Sequence, residues 1–303
     1  MSRGRGEAAM VPRAEPASYY GRPVIKPPVW TWEIPCYFFT GGLAGASAVL
    51  ASAADATGNR PLARRAWLVA FASVTASPAL LVSDLGRPER FLNMLRMFKV
   101  TSPMSMGSWI LTASGGATTL ATSHELFGWF RRLGPLGKAA SPILGPALAT
   151  YIAVLVADTA VPVWHEGHRE LPFVFAGSAM ASAGAAAAVL TPRAHAGPAR
   201  RLSVAGALVE LAAAAAMERR VGDLAEPLRT GRGGRLARRG RALTAAGASL
   251  IVLRGRRTHA AAVLGGAAVL VGALCERWAV FEAGRASARD PRYTVEPQRV
   301  RRD

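Results

Sequence analysis

The sequence predicts an all-α polytopic membrane protein of about eight transmembrane helices, arranged as two four-helix bundles. Three observations predict it. Hydrophobic residues make up 51% of the 303 and the mean hydropathy is positive, a balance beyond the usual soluble domain. Eight apolar stretches approach the ~20 residues that a bilayer core requires. All 37 Lys and Arg residues fall outside those stretches, as the cost of charge in hydrocarbon demands.

The stretches run over 34–54, 66–83, 105–123, 142–163, 171–190, 202–217, 242–253 and 260–275. The first five are continuous and apolar. The last three are shorter or rich in alanine, as in Ala212 to Ala216; small residues of this kind suit close helix packing in lipid, where association depends on backbone approach. Between the second and third stretches, Pro88–Lys99 places Phe91, Leu92, Leu95 and Phe98 on one face, with Glu89, Arg90, Arg96 and Lys99 elsewhere. Too short to span, it reads as an amphipathic helix on the membrane surface or under a partner. The resulting units are a polar tail (1–33), a first bundle (34–168), a second bundle (169–281) and a basic tail (282–303). Counted by side, 25 of the 37 basic residues share the side of the N-terminus and 12 lie opposite. The positive-inside bias then puts both termini in the cytoplasm of a multi-pass cell-membrane protein.

Several function classes are excluded. The net charge of +18 comes from short clusters between apolar runs with few interleaved aromatics, which does not build a nucleic-acid face. Cys36 and Cys275 have neither the number nor the spacing for an iron–sulfur cluster or structural zinc, and read as small core residues; no metal site is expected. His124, His165, His168, His195 and His259 fall at helix ends or in connections, so no bis-histidine haem is expected within the bilayer. No signal-peptide pattern occurs in residues 1–32, and the first helix would serve as the insertion signal. No repeat of fixed period is evident, which gives an inverted-repeat transporter no support.

Among the acidic residues, Asp158 and Glu210 fall well inside expected spans, and Glu33, Asp84 and Glu276 at their edges. Glu276, next to Arg277, reads as a snorkelling interfacial residue. Tyr151, Asp158 and His165 are seven apart and would share one face of the fourth helix, with Pro162 loosening it. Such a polar stripe could pass protons near neutral pH, or serve as a structural hydrogen-bond cluster. Trp32, Glu33 and Tyr37 open the first span, the Asp84–Arg90 connection follows the second, and Ser102–Trp109 open the third. By span counting all emerge on the same membrane side as the stripe, and four helices thus bring polar ends to one place, as a pocket requires.

The run Pro28-Val29-Trp30-Thr31-Trp32-Glu33-Ile34-Pro35 leading into Tyr37-Phe38-Phe39-Thr40-Gly41-Gly42-Leu43-Ala44-Gly45, followed by Asp84-Leu85-Gly86-Arg87-Pro88 and Ser102-Pro103-Met104-Ser105, resembles the NrfD/PsrC family. The resemblance covers roughly residues 28–170. It implies a haem-less membrane anchor of a respiratory oxidoreductase of the polysulfide-reductase type. It further implies a quinone site in the first bundle, a ferredoxin-like iron–sulfur subunit as electron partner and a catalytic molybdenum subunit. Carried onto this chain, the quinone residues would be Trp32, Glu33, Tyr37, Tyr151, Asp158 and His165. Glu33 stands where the family often has histidine or asparagine. Asp84, Arg87 and Arg90 would belong to the partner-docking face. The competing readings are a proton-coupled transporter using Asp158 and Glu210, and a purely structural anchor.

Overall fold

A computed structural model describes residues 22–300 of the protein, so residues 1–21 of the expected N-terminal tail and 301–303 of the C-terminal tail lie outside the described residues. Eight long helices dominate: α1 Glu33–Ala56, α2 Arg60–Ser83, α3 Pro103–Phe127, α4 Gly134–Ala157, α5 Leu171–Leu190, α6 Gly197–Val221, α7 Gly231–Arg254 and α8 His259–Arg289. No strand occurs among the described residues. Of the eight, α1, α2, α4, α5 and α8 are long and apolar enough to cross a membrane by length and composition alone. The remaining three have spanning length, but α3 is diluted by Ser, Thr and Gly, α6 carries arginines at both ends, and α7 carries them through its first half and at its last residue. The chain is an all-α polytopic membrane protein.

Local chemistry sets the helix ends. Asn59 caps α2 by accepting from the Leu62 N–H, Ser102 caps α3 through Ser105, and Thr258 caps α8 through Ala261, each satisfying an amide that the helix leaves free. Neighbours in sequence pair as α1/α2, α3/α4, α5/α6 and α7/α8, while α1 also lies along α4 and α5. Small residues permit this closeness. A methyl at Gly45 of α1 would stand 2.3 Å from the Gly145 carbonyl oxygen of α4, and one at Gly177 of α5 would stand 2.4 Å from the Glu210 nitrogen of α6. Backbones therefore meet where a side chain would have held them apart. At the end remote from the α1 N-terminus, Lys138 bridges Asp55 at 2.9 Å and Glu125 at 2.5 Å, fastening α4 to α1 and α3.

The ends of the elements depart from the sequence reading in several places; the helix expected over 242–253, for one, begins at Gly231 and takes in five arginines before residue 242. The fourth helix stops at Ala157 instead of running to residue 163, because Pro162 has no N–H to donate and its ring drives Val161 to an extended conformation (φ −70°, ψ 117°). The helix instead starts earlier, at Gly134, taking Lys138 with it. The short helix expected over Pro88–Lys99 is a 3-10 helix that ends earlier, at Leu95. The basic tail assigned from residue 282 begins as helix, since α8 continues to Arg289 before a short helix over Arg292–Val300.

Candidate functional site

At the end of the first bundle where α1 begins, four helix ends enclose a pocket with a cavity volume of about 110 Å³ and an open mouth. Trp30, Ile34, Tyr37 and Phe38 come from the start of α1, and Leu81, Asp84 and Leu85 from the end of α2. Met94 of the 3-10 helix, Met104 and Ser108 of α3, and Tyr151 and Leu155 of α4 complete the lining. The wall is largely apolar, with a few polar atoms. Tyr37 is buried and its hydroxyl has no hydrogen-bond partner among the described residues. Tyr151 reaches the pocket only because residue 107 is glycine, since a Cβ there would sit 2.2 Å from its ring.

Asp84 is held in place by the segment that precedes α1: its Oδ1 accepts from the Thr31 hydroxyl at 2.8 Å and from the Thr31 N–H at 3.2 Å. The Thr31 hydroxyl also meets the Glu33 carboxylate. A stacked pair backs the rim, with Trp30 5.8 Å from Trp164 at 21°. Trp164 is fully buried and donates its indole N–H to the Val280 carbonyl at 2.8 Å, tying the rim to α8.

Of the six residues carried over as quinone contacts, the pocket brings together Tyr37 and Tyr151. Trp32 is 57% exposed, and Glu33 lies behind the rim on Thr31. Asp158 and His165 correct the expected stripe. Asp158 is the exposed cap residue after α4, outside the helix interior, and His165 sits exposed on the separate helix Pro162–Glu166. The broken helix removes the seven-residue register that would have aligned them with Tyr151. His165 instead lines a second cleft with Glu166 and Tyr293, where burial and the Glu226 carboxylate push the Tyr293 phenol up to about 12 while it donates to Glu226 at 3.0 Å. Asp84, assigned from sequence to docking, is a pocket wall; Arg87 and Arg90 are exposed on the following connection. The apolar contributors Leu81, Met94 and Leu155 carried no signal in the sequence, because nothing marks one hydrophobic residue of a span as facing a pocket.

The second bundle holds what sequence reasoning missed. Glu276 does not snorkel: with Arg277 it is 1% exposed inside α8, and Glu210 of α6 is 2% exposed. These three groups and Arg241 of α7 interact electrostatically with one another. Arg277 donates to the Phe175 carbonyl of α5 at 2.8 Å and lies 3.7 Å over the Phe175 ring. A search for spans bounded by charge ends the eighth helix at residue 275, so the arginine that closes it looks peripheral. Neither Cys36 nor Cys275 is in a disulfide, and among the described residues no group of three or more His, Cys, Asp or Glu side chains could hold a metal ion.

The fold and pocket together define a helical integral membrane protein with a largely apolar cavity between four helix ends. The family model of polysulphide reductase, NrfD, matches residues 23–225, and the chain belongs to that family. It is thereby a membrane subunit of the polysulfide-reductase-like class of multi-subunit oxidoreductases. No curated protein matches the chain.

Proposed function

We propose that the protein is the haem-less quinone-interacting anchor of a respiratory oxidoreductase, exchanging electrons between a partner iron–sulfur subunit and a membrane quinone, with a catalytic molybdenum subunit beyond. The observation that carries this reading is the pocket between α1, α2, α3 and α4. A quinone needs an apolar slot for its ring and tail, with donors for its carbonyl oxygens. The slot is present, and the unpartnered Tyr37 hydroxyl in its wall is the kind of buried polar atom that a ligand satisfies. When bound, a quinone supplies two-electron, two-proton chemistry at the membrane.

In that role Tyr37 and Tyr151 orient the ligand by hydrogen bonding. Asp84, anchored by Thr31, holds or releases a proton at its carboxylate beside the pocket. Phe38, Leu81 and Leu155 keep water from the slot. Arg87 and Arg90, exposed just after Asp84, present a basic surface for docking the iron–sulfur subunit close to the pocket. The transporter reading loses Asp158, which is exposed at a helix end, and keeps only Glu210, tied into the cluster with Glu276 and Arg277.

Copurification tests the proposal. The tagged protein, taken gently from its native membrane, should bring an iron–sulfur polypeptide and extractable quinone, and Arg87→Glu with Arg90→Glu should release the polypeptide while insertion stays normal. Isolation alone, without quinone, together with solute uptake in liposomes would favour the transporter.

A further inference from the structure

At the opposite membrane end of the second bundle, α6 and α7 diverge. Each packs mainly on its sequence neighbour, α6 on α5 and α7 on α8, and a groove opens between them. Its mouth is formed by Arg200 and Arg201 in the first turns of α6 and Arg256 just beyond α7. Its walls are Val204, Leu208 and Val252, and these three continue into a second stretch reaching Leu211 and Ala245. The groove is therefore one track, basic at the interface and apolar toward the membrane interior. Leu208 is 65% exposed and Val252 57% exposed, so the track faces outward.

The basic mouth has no acidic counterpart. Residues 171–209 and 227–275 contain neither Asp nor Glu. Among the described residues Arg200, Arg201 and Arg256 form no ion pair; Arg200 reaches only the Arg193 carbonyl, at 3.4 Å. Three guanidinium groups at one mouth, none of them in an ion pair among the described residues, repel each other unless an anion joins them. Arginine forks suit phosphate oxygens.

We infer that the α6/α7 groove binds an anionic phospholipid, with the headgroup phosphate held by Arg200, Arg201 and Arg256 and an acyl chain laid along Val204, Leu208 and Val252. The apolar track commits the ligand to a lipid, because a free phosphate would use the mouth alone. Net positive charge without an acidic neighbour favours an anionic headgroup over a zwitterionic one. This site is separate from the pocket of the first bundle and does not depend on how that pocket functions.

Native mass spectrometry of the detergent-extracted full chain, titrated with phosphatidylglycerol or phosphatidylcholine, tests it. The protein should retain one phosphatidylglycerol well above the general background, and phosphatidylcholine only at background. The combined variant Arg200→Gln, Arg201→Gln and Arg256→Gln should weaken retention about 100-fold, the scale for three basic groups at a membrane surface. These residues are on the less basic side of the chain, so their loss reinforces the charge bias that governs insertion. Leu208→Trp, which fills the track and leaves every guanidinium in place, should weaken retention as well. Equal retention of both lipids, unchanged retention in the triple variant, or full competition by inorganic phosphate would each overturn the assignment.

Discussion

Replacing Arg277 by methionine is the sharpest perturbation of the second bundle. The side chain is 1% exposed, gives the Phe175 carbonyl its 2.8 Å hydrogen bond, covers the Phe175 ring at 3.7 Å, and lies in the field of Glu210 and Glu276. If the arginine served only as one more interhelical hydrogen bond, membrane double-mutant cycles set its worth at about 0.6 kcal/mol. If it compensates buried carboxylates, its removal leaves charge without a partner, at a cost of about 3–5 kcal/mol. The second figure is expected here, because Glu210 and Glu276 act on this cation through their charge, without an ion pair within 4 Å among the described residues. Reversible unfolding of the purified chain in mixed micelles measures the difference. Adding Glu210→Gln and Glu276→Gln to Arg277→Met should recover most of the loss, as neutral replacement of a whole buried ionic group is often tolerated. A loss near 0.6 kcal/mol for Arg277→Met, or no recovery in the triple variant, would refute the cluster as a compensated charge group.

Three further variants have outcomes set by the geometry. Asp84→Asn should lower quinone-linked turnover by about 10²-fold, the scale of a lost proton donor or acceptor. Asp158→Asn should change that turnover by no more than about two-fold, as befits an exposed residue; steady-state assays of the assembled complex compare the two. Arg220 binds the Glu170 carboxylate at 2.5 Å and holds its pKa below the ordinary carboxylate value. The stability from this pair is therefore present above the ordinary carboxylate pKa and disappears as pH falls through the lowered one. Thermal melts at neutral pH should show Arg220→Gln less stable than the parent, with the gap closing below about pH 4; a gap unchanged by acid would exclude the ion pair as its source.

The eight helices were legible because hydrocarbon imposes long apolar runs on any chain that crosses it, and the convergence of the α1, α2, α3 and α4 ends followed from alternating span direction alone. What escaped was helix extent and facing. Pro162 was read as a loosening within a helix, yet with the extended Val161 before it the helix ends, which separates Asp158 and His165 from Tyr151. Arg277 and Glu276 were placed at an interface because isolated charges are costly in lipid. Both are instead buried in the field of Glu210, with Arg241 beside Glu276 and the Phe175 carbonyl on Arg277, groups that approach only when α5, α6, α7 and α8 are assembled. Asp84 was assigned to docking for its place in a charged connection, and its hydrogen bonds to Thr31, 53 residues away, turn it toward the pocket.

The central claim is that the pocket between α1, α2, α3 and α4 receives a quinone, and filling that pocket tests it most directly. Leu155→Trp introduces a bulky indole from a half-buried lining position and leaves Tyr37, Tyr151 and Asp84 in place. In the intact complex, electron transfer from the catalytic partner to a soluble dye should be unchanged, while turnover with quinone falls at least about 10-fold, equivalent to about 1.4 kcal/mol of lost binding or transition-state stabilisation. Full quinone turnover in a properly assembled Leu155→Trp complex would contradict the account.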